Sequence, residues 1–377
     1  MRLAFALYKY FPYGGLARDF VRVAKLCLAR GHRVDVYVME WQGEIPNGVN
    51  VNLINTKGWT NHARVTSFHR QLTNCLANSE FDVTIGFNKT PRVDVYYAAD
   101  PCYIDRFVDK TCLAKLNPRY LAYAAAEKAV FGQESQTVCL MISEAQTELF
   151  KKHYQISDDR LVMLPPGIDP NRRRPEGADR KRRNFRQQFQ LKANDIMLLM
   201  LGSAFKTKGV DRAIDALASL PEIVLERTQL MIVGEGDINA YKRYAKQKGV
   251  ANYCHFMGGR SDVPDFLLAA DLLVHPARKE NTGTVILEAM ISGLPQLVTE
   301  VCGYAKHVQR ANSGRVIDEP FQQQQLNKVL LEMLTSDECL YWAKQALKYA
   351  EHEDLYSMPE KVVDVIERVA KGQLNEN

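Results

Sequence analysis

Short apolar segments rich in β-branched residues alternate twice over with helical stretches along this chain, and that rhythm constrains the fold more than any other feature. Residues 3–8, 34–38, 51–54, 83–86, 93–97 and 138–142 read as strands, with helical patterns between them such as 16–30, which Gly31 caps. The same alternation resumes with strands at 196–201, 229–233, 255–257 and 272–274 and helices at 210–220 and 239–248. Strands separated by helices pair in parallel, so the fold class is α/β, with two doubly wound units in succession. The prolines of 165–170 and Pro175 favour an extended join between them. This places the first domain at 1–168 and the second at 169–356. A helical tail runs over 322–370, and the Pro-containing break at 356–360 lets its last helix, about 357–372, pack back on the first domain. Open α/β sheets bind ligands at the carboxyl ends of their strands, so two such domains facing each other predict a cleft between them.

Composition narrows the class further. A chain of 377 residues with 46% hydrophobic and 25% charged residues can fill two cores, and neither a disordered chain nor a fibre is expected. No stretch reaches the roughly 18–20 apolar residues of a membrane span, and residues 1–9 are charged too soon for a signal peptide, so a cytoplasmic location is expected. Eight cysteines are scattered without a C-x-x-C pair, which signals neither a zinc site nor a disulfide framework; they read as small buried hydrophobes. A net charge of +5 is too modest to suggest nucleic acid, although local basic clusters can meet an anionic surface.

The densest chemistry lies in 279–295, where Glu280 and Glu288 stand eight residues apart across a loop-to-helix junction. Asn281 to Gly283 break the preceding strand, and an apolar helical pattern begins near Thr284 and ends at Gly293-Leu294-Pro295. Amides of Thr282, Gly283 and Thr284 at that N-terminus, with the helix dipole, favour a phosphate or pyrophosphate. Glu288, about one turn in, suits both hydroxyls of a ribose. Glu280, before the helix, would face the other end of the ligand. A solvated pair of acids beside an ordinary cap is the plain alternative.

Other motifs follow other strands. Gly14-Gly15 after the first strand could bring backbone to a phosphate, with Asp19 in the first helical turn. Lys208, in Gly202-Ser-Ala-Phe-Lys-Thr-Lys-Gly209, could neutralise a pyrophosphate as a point charge. Gly258-Gly259-Arg260 could read a nucleobase edge, or form a plain loop capped by Ser261 or Asp262. The chain has no Asp-x-Asp triplet, so no metal or other cofactor is expected.

With these elements the chain resembles the retaining glycosyltransferases of family four. The resemblance rests on the Glu280/Glu288 pair, Lys208-Gly209, Gly14-Gly15 and Pro166-Gly167-Ile168, and it covers nearly the whole length. It implies the GT-B architecture of two facing Rossmann-like domains with an interdomain cleft. The first domain would take the acceptor and the second the nucleotide sugar. Residues 5–15, 86–89, 164–168 and 301–305 resemble the branch that glucosylates the lipopolysaccharide core in Gram-negative bacteria. That branch implies UDP-glucose as donor, the first heptose of the lipopolysaccharide inner core as acceptor, and an α-1,3 bond made with retention. Another UDP-hexose transferase, or an isomerase like the UDP-sugar 2-epimerases, is the alternative. Many family members carry an arginine about five residues before the lysine, where this chain has Ser203; the resemblance gives that task to Arg172 rather than Lys206. Donor-binding residues would then be Gly15, Arg172, Lys208, Arg260, Thr282, Gly283, Thr284 and Glu288. Glu280 would orient the sugar and offset oxocarbenium charge, and Asp19 would orient acceptor or glucose.

A lipid-borne acceptor requires work at a membrane surface. Residues 103–131 interleave aromatics, Tyr120 and Tyr123 among them, with Arg106, Lys110, Lys115 and Arg119. Such a mixture suits an anionic bilayer interface, where each cation gains about 1 kcal/mol, and equally a solvent-facing helix over a buried aromatic stripe. Peripheral association with the inner face of the cytoplasmic membrane is the expectation.

Overall fold

The computed structural model describes residues 1–12 and 15–373, so Gly14 lies outside the described residues. The chain forms two compact units, one running from Met1 to Gly167 and resuming at Tyr356, the other spanning Ile168–Leu355.

The first unit holds a seven-stranded sheet of β1 (Arg2–Tyr10), β2 (Arg33–Trp41), β3 (Val49–Leu53), β4 (Val83–Gly86), β5 (Val95–Ala98), β6 (Val138–Met141) and β7 (Leu161–Met163). The spatial order is β3-β2-β1-β4-β5-β6-β7 and every pair is parallel. Residues Leu3 to Leu7 are buried in succession because helices cover both sides of the sheet, which is why β1 reads as a continuous apolar run. Phe20 and Val23 of the helix Gly15–Ala29 and Val362 and Ile366 of the helix Met358–Ala370 share one core with Phe5, Val36 and Ile85. Arg30 donates to Asp364 at 2.7 Å and fastens that last helix. On another side, Phe131 of the helix Pro118–Phe131 stacks on Phe150 with centroids 3.7 Å apart.

The second unit holds β8 (Ile196–Leu201), β9 (Thr228–Val233), β10 (Cys254–Gly258), β11 (Leu272–His275), β12 (Gln296–Thr299) and β13 (Gly314–Ile317), in the order β10-β9-β8-β11-β12-β13 and again parallel. Ile214 and Leu217 of the helix Val210–Ala218 and Leu326 and Leu330 of the helix Gln323–Thr335 pack in one core with Leu198 and Val274. Phe185, Phe266 and Ala289 pack in another with Met197 and Leu273.

Several sequence expectations need correction. The tail is three helices, Gln323–Thr335, Cys339–His352 and Met358–Ala370, because Ser336 turns extended and interrupts the run. The strand expected at 93–97 begins two residues later. Arg92 adopts φ +62 and the Asp94 carboxylate receives the Thr84 amide at 2.7 Å, so a side chain replaces a ladder bond. The sequence reading lacks β7 because it is only three residues long, and β12 and β13 because Gln296, Thr299 and Arg315 leave little apolar periodicity in four residues each. Cys112 and Cys339 are exposed and Cys75 half-buried; only the other five cysteines fit the reading as buried hydrophobes.

Candidate functional site

In the second unit the strand order turns at β8 and β11. These two strands pair only through Leu198 with Leu272 and Leu199 with Leu273 before they diverge. Doubly wound sheets bind ligands past the carboxyl ends of strands at such a point. Lys208 arrives there on the segment after β8, and Glu280 on the segment after β11.

The two segments are locked together by backbone. Gly209 ends a short helical turn, Phe205–Lys208, at φ +75, and a Cβ there would lie 2.1 Å from the Pro276 carbonyl oxygen, so only glycine allows this approach. Arg278 clasps Asp211 through two bonds of 2.7 and 2.6 Å, and its amide donates to the Thr207 carbonyl at 2.8 Å. Glu280 forms a parallel bridge with Cys302, and Gly303 lets the chain pass against the Asn281 carbonyl.

Within that frame Lys208 Nζ is hydrogen-bonded to Glu280 Oε2. His275 Nε2 approaches the same oxygen at 3.4 Å. His275 is fully buried, and its Nδ1 has no hydrogen-bond partner among the described residues. Burial lowers the His275 pKa, against the pull of Glu280, so the ring is neutral; we assign its proton to Nε2, facing the carboxylate. Burial also pushes the Glu280 pKa up, but the His275 bond and the Lys208 charge outweigh it and leave the value at about 2. Glu280 is therefore a fixed anion at working pH, and Lys208 its counter-charge. His275 was missed by sequence reasoning; a histidine inside the apolar run Leu272-Leu-Val-His275 was the available signal.

The helix following Glu280 is Thr284–Ile291, with Gly283 as N-cap at φ +85. A Cβ on Gly283 would stand 3.2 Å from Glu280 Cγ. Its first amides, including Thr284, have no intrahelical acceptor by helix geometry. Thr282 accepts the Tyr304 amide through its carbonyl at 2.7 Å, and Glu288, half-buried, lies one turn into the helix.

The remaining donor-binding candidates differ. Arg172 ends a 3-10 turn, Pro170–Arg172, and its Nη1 is buried without a hydrogen-bond partner among the described residues, a cation with donor capacity to spare. Ser203, in place of the usual arginine, accepts the Glu235 amide at 3.1 Å, and Lys206 is exposed. Arg260 is exposed and folds back on Asp262 through bonds of 2.8 and 2.6 Å. Asp262 occupies the N-cap of Val263–Ala269 but makes no capping bond, so neither it nor Ser261 caps as the loop reading supposed.

In the first unit Gly15 opens the helix Gly15–Ala29, so Asp19 stands at its fifth residue rather than in the first turn. Its Oδ2 accepts the Tyr97 hydroxyl at 2.9 Å. Burial raises the Asp19 pKa to about 6 against that bond and the Arg22 and Arg18 charges. This carboxyl changes charge just below neutrality.

The 103–131 segment departs from the aromatic-anchor expectation. Tyr120 and Tyr123 are half-buried in a cluster, with Phe107–Tyr120 centroids 4.7 Å and Tyr103–Tyr123 centroids 5.4 Å apart. The apolar groups that reach solvent are Val108, Leu113, Leu116 and Leu121, interspersed with exposed Arg106, Lys110 and Arg119 and half-buried Lys115. A buried ion pair roots the segment: Glu127, with no exposed surface, accepts Lys89 Nζ at 2.5 Å, the Tyr103 amide at 2.6 Å and the Tyr154 hydroxyl at 2.9 Å. Among the described residues, no group of three or more His, Cys, Asp or Glu side chains could hold a metal ion. No helix among the described residues is long and apolar enough to cross a membrane.

The model of the Glycosyltransferase Family 4 matches residues 13–172 and that of the Glycosyl transferases group 1 matches 181–349. Lipopolysaccharide glucosyltransferase WaaG of Escherichia coli K12 is 45% identical over 368 residues, covering 97% of this chain and 98% of WaaG. The crystal structure of WaaG superposes with a TM-score of 0.90 over 97% of this chain and 99% of that one. Anabaena HepE, solved with UDP and glucose, shares the fold at 18% identity, with a TM-score of 0.74 over 97% of this chain and 99% of that one.

Proposed function

The chain belongs to the family 4 glycosyltransferases, and from that membership we propose that it moves glucose from UDP-glucose to the first heptose of the lipopolysaccharide inner core, forming an α-1,3 bond with retention. The observation that carries the reading is the Lys208–Glu280 pair at the switch point of the second sheet, within a chain similar to WaaG along nearly its whole length. The isomerase reading has no support among those relatives.

Charge dictates the division of labour. As the bond from the glucose anomeric carbon to the diphosphate opens, negative charge grows on the departing UDP and positive charge on the sugar. Lys208, Arg172 and the amides of Gly283 and Thr284 would meet the first, and Gly15 would add backbone from the first unit. Glu280, ionised and held by His275, would meet the second and orient the sugar hydroxyls. Glu288 would take the ribose hydroxyls, and Arg260 would serve the base once its bond to Asp262 yields. The acceptor oxygen bonds to the anomeric carbon on the face UDP leaves, and its proton passes to the departing phosphate oxygen. Fixed cations thus do the work a divalent ion would do, and we propose that no metal is needed.

Asp19 would orient the acceptor hydroxyl as a carboxylate. It is protonated below about pH 6, so kcat/KM should fall as pH drops through that value, with the limb absent in Asp19→Asn. A profile flat from pH 5 to 7 counts against this role.

The exposed aliphatic and cationic surface of 106–121 supports association with an anionic bilayer. Leu113→Ser with Leu116→Ser should reduce cosedimentation with anionic vesicles at least tenfold, since each buried leucine contributes about 2 kcal/mol. Binding by the parent protein should weaken with salt; salt-insensitive or absent binding would remove the claim. The reaction itself is tested by incubating the protein with heptose-terminated core lipid and a panel of UDP-sugars and identifying product and anomer. Transfer from another UDP-hexose would identify a different family member, and epimer released without acceptor would favour an isomerase.

A further inference from the structure

The first sheet has its own switch point, between β1 and β4, which pair only as far as Ala6 with Gly86. Beyond it Tyr8 lacks a partner from β4, and the Asn88 side chain supplies one, its Oδ1 accepting the Tyr8 amide at 2.9 Å. Asn88 Nδ2 then donates to Asp100 Oδ2 at 3.3 Å. The neighbouring backbone is equally fixed, because the Tyr8 hydroxyl donates to the Lys89 carbonyl at 2.9 Å and Lys89 Nζ to the Pro101 carbonyl at 2.7 Å. Asp100 is thus held at its carboxylate by Asn88 and through the backbone of the residue that follows it.

Its chemistry is unusual for so fixed a group. Asp100 is half-buried, yet makes no ion pair among the described residues, and its Oδ1 receives no hydrogen bond there. A carboxylate partly withdrawn from water without a cation is costly, whereas one oxygen anchored and the other open is a preorganised acceptor for a ligand hydroxyl. Asp19 stands at the same edge of the sheet, joined to β5 through Tyr97, and Asp100 follows two residues after β5 ends at Ala98. Neither group suits a phosphate, and both suit a polyhydroxylated sugar.

We propose that Asp100, oriented by Asn88, is a specificity-determining residue that accepts a hydroxyl of the acceptor sugar, deepening the transferase reading on which it rests. Asp100→Asn keeps an oxygen for the Asn88 amide and should fold with an unchanged melting temperature. We expect its KM for heptose-terminated core lipid to rise at least tenfold, with KM for UDP-glucose and acceptor-free hydrolysis of UDP-glucose unchanged. Monodeoxy acceptors refine the test: the one lacking the bound hydroxyl should lose a similar factor with the parent enzyme and almost nothing further with the variant. An unchanged acceptor KM, or equal losses in hydrolysis and transfer, would overturn the proposal. A parent enzyme that neither hydrolyses nor transfers from UDP-glucose would instead overturn the functional reading, and this inference with it.

Discussion

Glu280→Gln is expected to lower kcat for glucose transfer by about a thousandfold while the dissociation constant for UDP stays within a few-fold of the parent value. Glutamine keeps the shape and one acceptor oxygen but removes the charge that the site is built to hold. That charge is deliberate in structure: burial alone would favour the protonated acid, and the His275 bond with the Lys208 cation pulls the pKa down to about 2 instead. The loss should fall on the step in which positive charge develops on the sugar, so it appears in single-turnover transfer rather than in UDP titration. Removing Glu280 also releases Lys208, which leaves more cation for the diphosphate and argues against weaker UDP binding. A variant retaining a tenth of parental kcat would refute the role. The pH behaviour has a definite sign: Glu280 contributes stability above the unfolded carboxyl range that is lost only as pH falls towards 2.

The second large effect concerns stability. Glu127→Ala should cost about 3–5 kcal/mol, because it strands Lys89 in the interior and leaves the Tyr103 and Ile104 amides without their acceptor. In a unit of this size that corresponds to a melting temperature roughly 10 °C lower. The double variant Lys89→Met with Glu127→Leu should recover much of the loss, since no buried charge then remains unpaired. Thermal and denaturant unfolding of the three proteins decide it; a single variant within about 1 kcal/mol of the parent would show that water reaches the pair. The same bonds root 103–131, so Glu127→Ala should also weaken vesicle binding.

Much of the architecture was legible because it rests on local periodicity. Apolar runs bounded by helices mark parallel strands whatever their partners, and Gly283 before an apolar helical pattern marks the start at Thr284. The parts that were not legible depend on contacts distant in sequence. Lys208 and Glu280 lie 72 residues apart, and nothing in either motif says that they bond to each other. The tyrosines of 103–131 looked like anchors because their spacing says nothing of which face packs inward; the cluster about Tyr103 turns Tyr120 and Tyr123 inward and leaves the leucines outside. Arg260 reads as available in the sequence, but its short reach to Asp262 engages it.

Sequence by itself determined the class of fold and the glycine that starts the helix at Thr284, since both rest on residue type and near-neighbour spacing, and its motifs carried the resemblance to a transferase family. Tertiary structure alone decided which charges are engaged: Glu280 held ionised by His275 and Lys208, Asp19 lifted towards neutrality, Glu127 sealed inside with Lys89, and Asp100 with one oxygen that receives no bond among the described residues. The physical reason is that the state of a carboxyl follows from the water it loses and the donors brought to it, and both are set by how distant strands converge.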